Sequence, residues 1–124
     1  MGKGTLYGSG AMNESTLDPA IVQELKSVMG GDFRTLVDSF VRDSRQRLET
    51  LEEAITNGAA EEVRQTAHSF KGSSGNLGAL ALSNLCLELE QIGRSGELAG
   101  AREKLEEIRA AFDHAREQLE QETG

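Results

Sequence analysis

From Leu17 to the C-terminus, the apolar residues of this chain recur at intervals of three and four positions. No segment alternates apolar and polar residues as a half-buried strand would. The spacing places one apolar stripe along each helix, and such a stripe must be buried against other helices. The pattern therefore predicts an all-α fold.

Capping and turn residues divide the chain into five predicted helices. Asp18 followed by Pro19 is typical of a helix N-terminus, and Asp32 is a second candidate N-cap. Glycines or an Asn-Gly pair follow most of the apolar stripes and predict where helices end. The predicted helical segments are residues 18–31, 32–58, 59–78, 79–96 and 97–122. Long helices joined by short loops favour an antiparallel up-and-down four-helix bundle, here with a short additional N-terminal helix.

The length of the chain favours one domain. Its 124 residues can form a single core but are too few for two ordinary domains. The first twelve residues, MGKGTLYGSGAM, hold four glycines and show no hydrophobic period. We interpret residues 1–12 as a remnant of an expression tag and assign residues 13–124 to the helical bundle.

Charge and cysteine content disfavour several function classes. The formal net charge of −8 disfavours nucleic-acid binding, which requires a basic surface. The single cysteine, Cys86, precludes an internal disulfide and leaves no cysteine cluster for zinc. No apolar run reaches the roughly 18 residues of a membrane span, and no signal peptide is recognisable. We therefore expect a cytoplasmic protein that binds neither nucleic acid nor membrane.

One helical segment, TAHSFKGSSGNLGAL, is interrupted by glycines just after a histidine. Each helical glycine costs about 1 kcal/mol relative to alanine, so Gly72 and Gly75 call for a compensating reason. His68 falls one residue beyond the apolar stripe and is predicted to point outward. The residues that share its face of the helix are Arg64, Gln65, Lys71, Gly72 and Gly75.

This face combines a histidine with cationic side chains and bare backbone. Another molecule could approach the imidazole closely there, while the cations stabilise negative charge beside it. Each feature alone has an ordinary explanation, because helical histidines are commonly surface residues, glycines end helices, and paired cations are usually just solvated. Their occurrence within a few residues of one another favours a site for a phosphoryl group.

The run AHSFKGSSGNLGALALSNLCLELEQIGRSG, residues 67–96, resembles the histidine-containing phosphotransfer (HPt) domain of bacterial multistep phosphorelays. The most specific residues of the resemblance are His68, Lys71, Gly72, Ser73, Leu77 and Gly78. A looser hydrophobic similarity extends from Asp32 to about Leu119. The resemblance implies a four-helix bundle whose exposed histidine accepts a phosphoryl group from the aspartate of one receiver domain and passes it to another. It implies a phosphotransfer carrier with no ATP-dependent kinase activity of its own.

A phosphoryl acceptor must be a neutral imidazole with one nitrogen lone pair free, a form that is abundant at neutral pH. The other ring nitrogen should donate its proton to a group that fixes the tautomer. Glu90 is the predicted acceptor, because the resembled family places Glu or Gln at this position of the partner helix. Glu88 and Gln91 are the alternatives.

The remaining residues of the face are assigned supporting roles. Lys71 is predicted to neutralise the charge of the phosphohistidine, and Arg64 to assist more weakly. Gly72 and Gly75 are predicted to leave room for the partner. No carboxylate cluster accompanies His68, so we expect no cofactor on this chain and a Mg²⁺ ion on the partner receiver. Arg94, near the end of its helix, is interpreted as part of the following turn.

A different class of function is also compatible with the sequence. The chain could be a non-catalytic helical interaction module that docks or restrains a partner protein. The set of His68, Lys71, Gly72 and Glu90 argues against this alternative, because a docking module needs no nucleophile. The predicted partners are receiver domains of response regulators or hybrid sensor kinases. The protein is expected to be a free shuttle or the cytoplasmic part of a membrane-bound hybrid sensor kinase.

Overall fold

The computed structural model describes residues 17–123. The predicted tag remnant, residues 1–12, and residues 13–16 of the predicted bundle lie outside the described residues. The helices are α1 Pro19–Met29, α2 Asp32–Thr56, α3 Ala60–Asn76, α4 Leu80–Ser95 and α5 Ala101–Thr123. The described part of the chain contains no strand, so the all-α prediction is confirmed.

Helices α2 to α5 form a four-helix bundle. Each helix packs against the next one in the chain, and α5 returns to pack against α2, which closes the bundle. The connections are short, spanning residues 57–59, 77–79 and 96–100, so consecutive helices run antiparallel. The predicted up-and-down topology is confirmed, and the α3–α4 hairpin has the most extensive interface.

The apolar stripes meet in one core. Fully buried side chains come from all four bundle helices, and the largest are Phe70, Phe112, Leu51, Leu82, Leu89 and Leu105. The rings of Phe40 and Phe112 pack in a tilted arrangement with centroids 6.1 Å apart. Since each stripe covers only one face, no helix within residues 17–123 is long and apolar enough to cross a membrane.

Helix α1 is held at the end of the bundle where α3 turns into α4. The Asp18 carboxylate caps α1 by accepting from the Ala20 amide at 2.9 Å, as predicted. The Asp18 amide donates to the carbonyl of Gly78 at 2.8 Å. Gly78 has a φ of +81°, and a Cβ there would lie 3.3 Å from the Asp18 carbonyl oxygen. A glycine is therefore required where the hairpin turn touches α1.

Two predicted helix starts differ from the structure. Asp32 is the first residue of α2 and not its N-cap, and Gly31, which precedes it, makes no side-chain capping bond. Helix α5 begins at Ala101, four residues after the predicted start at Glu97. Gly100 has a φ of +87°, a left-handed conformation that a right-handed helix cannot include.

Candidate functional site

His68 lies in the middle of α3 and points away from the core, as predicted. Its side chain is 62% exposed. The Nδ1 atom is 3.1 Å from Oε2 of Glu90 on the neighbouring helix α4. The ring is therefore held at one nitrogen, and most of the side chain is open to solvent.

Glu90 is almost fully buried, with 4% of its side chain exposed. Lys71 Nζ lies 2.9 Å from Oε1 as an ion pair, although the alignment is not that of a good hydrogen bond. Arg94 Nη2 donates to Oε2 at 3.1 Å. The structure therefore brings His68, Lys71 and Glu90 together, and the carboxylate joins α3 to α4. The ion pair between Lys71 and Glu90 was not among the predictions, which assigned Lys71 to the charge of the phosphohistidine.

The alternatives to Glu90 lie elsewhere on α4. Glu88 pairs with Lys104 of α5, and its side chain is half exposed. Gln91 is exposed and makes no hydrogen bond with His68. Of the three candidate acceptors, Glu90 alone contacts the imidazole within the described residues.

The charge state of Glu90 determines the histidine tautomer. Burial raises the pKa of the Glu90 carboxyl, but the contacts with Lys71 and His68 lower it by more, so that the pKa lies below its ordinary value. The carboxylate is consequently ionised at neutral pH and can only accept hydrogen bonds. The hydrogen-bond network therefore assigns the proton of the neutral ring to Nδ1 and the free lone pair to Nε2.

The two glycines of the face differ in their surroundings. Gly72 follows His68 by one turn, and a Cβ built there would meet no atom within 4 Å. A Cβ on Gly75 would lie 3.4 Å from Ser83 Oγ, an ordinary contact with α4. Gly72 thus leaves bare backbone open to solvent beside the histidine, whereas Gly75 is turned partly toward α4. The predicted roles of both in partner binding stay predictions.

The guanidinium group of Arg64 is hydrogen-bonded to Glu61 on its own helix. Its Nε donates to Glu61 Oε1 at 3.0 Å, and Gln65 donates to the other oxygen of the same carboxylate. These hydrogen bonds, led by that of Arg64, lower the pKa of Glu61 to about 2. Arg64 therefore lies one turn before His68 without contacting it, and its predicted assistance stays a prediction.

Arg94 belongs to this site, contrary to its assignment to the following turn. It lies inside α4, one turn after Glu90, and shares Oε2 of that carboxylate with His68. The spacing of an acid four residues before an arginine on a helix is a recognised stabilising pair. That spacing was the signal in the sequence that could have identified Arg94.

Two further features concern metal and thiol chemistry. Within residues 17–123, no three His, Cys, Asp or Glu side chains converge in a way that could hold a metal ion. Cys86 is completely buried in the core, and burial raises the pKa of its thiol to about 12. Cys86 is therefore a packed small side chain of the core.

Known proteins resemble this chain in both sequence and structure. The family profile described as the Hpt domain matches residues 35–118. The crystal structure of histidine-containing phosphotransfer protein B (HptB) from Pseudomonas aeruginosa PAO1 is similar, with 41% sequence identity and a TM-score of 0.84. That alignment covers 86% of this chain and 93% of HptB. No match is found among curated proteins. The chain therefore belongs to the Hpt domain family and is a histidine phosphotransfer carrier of the phosphorelay type.

Proposed function

We propose that His68 is the residue that carries the phosphoryl group, and that it does so on Nε2. The contact between Nδ1 and the buried Glu90 carboxylate supports this assignment most strongly. It leaves Nε2 as the nitrogen with a free lone pair, on a side chain that is largely exposed. A docking module without phosphate would gain nothing from burying an acid behind an exposed histidine.

The proposed reaction moves one phosphoryl group between two proteins. The Nε2 lone pair attacks the phosphorus of a receiver aspartyl phosphate, the N–P bond forms, and the acyl P–O bond breaks to return the aspartate carboxylate. The product ring bears a proton on Nδ1 and phosphorus on Nε2, so it is positively charged. The Glu90 carboxylate lies 3.1 Å from Nδ1 and stabilises that charge. Transfer to the next receiver is the reverse sequence of steps.

Lys71 and Arg94 are the two cations that contact the carboxylate holding the reacting ring. Both contact Glu90, and the Lys71 side chain is 29% exposed while that of Arg94 is 64% exposed. Their ammonium and guanidinium groups can offset charge on the incoming phosphoryl oxygens. We assign this role to Lys71 first, because it lies on α3 one turn from His68.

The donor and acceptor proposed for this chain are receiver domains. A Mg²⁺ ion bound by the receiver would offset the negative charge of the phosphoryl group during transfer. This chain would contribute the nucleophile, the oriented ring and the two cations, and it would act as a carrier and not as a kinase.

Incubation with a receiver domain phosphorylated on its aspartate, in the presence of Mg²⁺, is expected to place one phosphate on this chain. The modification should be acid-labile and base-stable, and phosphorus NMR should show the shift of an Nε2-linked phosphohistidine. Mass spectrometry after digestion should locate it on the peptide that contains His68. An Nδ1 linkage, or a phosphate on a serine of the same peptide, would contradict the proposal.

Gly72 offers a test of how closely the receiver approaches. Gly72→Ala is expected to leave the bundle folded and to raise the free energy of unfolding by up to about 1 kcal/mol, because the position is helical and open. Gly72→Gln should also stay folded, but it should slow transfer more than Gly72→Ala by obstructing the receiver. Circular dichroism and single-turnover transfer measure the two effects. Unfolding of either variant, or transfer by Gly72→Gln at the parent rate, would refute the close-approach role.

A further inference from the structure

Helices α3 and α4 touch backbone to backbone at Gly93. A Cβ built on Gly93 would lie 2.7 Å from the amide nitrogen of Arg64 and 2.9 Å from the carbonyl oxygen of Ala60. Both atoms belong to the backbone of α3, so no side-chain rotation could relieve the overlap. Gly93 is buried and lies inside α4, where a glycine costs about 1 kcal/mol relative to alanine. The close approach of the two helices is therefore possible only because residue 93 has no side chain.

This contact lies next to the site along both helices. Gly93 lies between Glu90 and Arg94 on α4, and Arg64 is one turn before His68 on α3. A second fixed point lies on the other side, where Ser83 Oγ donates to the carbonyl oxygen of Lys71 at 3.0 Å. The hydrogen bond between His68 and Glu90 thus lies between two contacts, one on each side along the helices, that set the distance between α3 and α4.

We infer that Gly93 is a positioning residue for the phosphotransfer site, which acts by setting the α3–α4 distance at which Glu90 reaches His68 Nδ1. The inference builds on the proposed role of His68. The contact of 3.1 Å between Nδ1 and Oε2 is near the upper limit of a good hydrogen bond, so a small outward shift of α4 breaks it. Without that acceptor, the neutral ring is free to adopt the other tautomer, in which the proton occupies Nε2 and blocks attack.

The test uses Gly93→Ala in the full chain, with Gly75→Ala as the matched control for the tautomer measurement. Gly75 lies on the same helix pair, but its added Cβ would make only an ordinary contact of 3.4 Å with Ser83. Nitrogen-15 NMR of the unphosphorylated proteins, at a pH where the ring is neutral, reports the tautomer of His68. We expect the parent and Gly75→Ala to show the proton on Nδ1, and Gly93→Ala to show a mixture of tautomers. Phosphotransfer by Gly93→Ala should fall about tenfold or more, since misplacement by about 1 Å can cost 100-fold.

Two outcomes would overturn the inference. One is a folded Gly93→Ala chain whose His68 tautomer matches the parent. The other is a chain that does not fold cooperatively even in trimethylamine N-oxide, which strengthens burial and would make Gly93 a folding residue only. If Gly93→Ala folds only in that osmolyte, the NMR spectra of the parent and of the two variants are all recorded in it. The tautomer is measured on the unphosphorylated protein. The measurement therefore tests the role of Gly93 even if His68 of the parent is never phosphorylated.

Discussion

The His68→Ala chain is expected to take up no phosphate from a phosphorylated receiver, while it keeps the helical content of the parent. The substitution removes the nucleophile from a side chain that is 62% exposed and outside the core, so the packing of the bundle is retained. Among residues 17–123 the only other histidine is His114, on α5. Phosphate uptake, measured with radiolabelled receiver and by intact mass, should fall to background.

His114→Gln is the matched control for this prediction. It removes the second histidine from a helix that does not hold the site, so the variant should be phosphorylated as the parent is. Circular dichroism and thermal unfolding should show that both variants are folded. Persistent acid-labile phosphate on His68→Ala, or its loss from His114→Gln, would move the acceptor away from His68.

The fold follows from the sequence because each helix is recognisable from local features. Three-and-four spacing predicts the stripes, and the Asp18-Pro19 pair predicts the start of α1, which the structure confirms. The predicted start of α5 at Glu97 was wrong because Leu98 extends the apolar spacing of this helix toward the N-terminus. Leu98 is partly buried against the core from a non-helical segment, which apolar spacing cannot distinguish from a helical turn.

Part of the candidate site could be predicted from the sequence. The outward position of His68 follows from its place beside the stripe on a single helix. Selection of Glu90 over Glu88 and Gln91 required the rotation and register of α4 against α3, which one helix does not reveal. The family resemblance supplied that choice, and the contact of Glu90 with His68 agrees with it.

The roles of Arg94 and Gly93 were not predicted from the sequence, and the physical reason is the same for both. The spacing of Glu90 and Arg94 indicates a pair on one helix, but the role of that pair in the site depends on His68, which shares the same carboxylate only in the folded hairpin. The closeness of Gly93 to the Arg64 amide depends on the distance between two helices. Such information is tertiary, since residues distant in sequence define it, and local propensity presents Gly93 only as a weak point in α4.

Substitution of Glu90 is expected to have the largest effect on phosphotransfer after substitution of His68. Glu90→Ala removes the acceptor for His68 Nδ1 and leaves Lys71 and Arg94 without their shared carboxylate. Transfer should slow by about 10- to 100-fold, because the ring is no longer held in the reactive orientation and tautomer. Glu90→Gln should retain more activity than Glu90→Ala, since its amide oxygen can accept from Nδ1 although it lacks the charge that stabilises the phosphorylated ring. Equal single-turnover rates for the parent and Glu90→Ala would exclude this role.

The same pair of chains, parent and Glu90→Gln, gives a stability signature in acid. The pKa of Glu90 is lower in the folded protein than its ordinary value of 4.5, so the ionised carboxylate favours folding above that value. As the pH falls below 4.5 and through the folded pKa, this contribution is lost from the parent, whereas Glu90→Gln has none to lose. Glu52 and Glu61, whose pKa values are also lowered, are present in both chains and cancel in the difference. Urea unfolding at pH 7 and pH 3 should therefore show a larger acid-induced loss of stability for the parent, and equal losses would mean that Lys71 and His68 do not stabilise the Glu90 carboxylate.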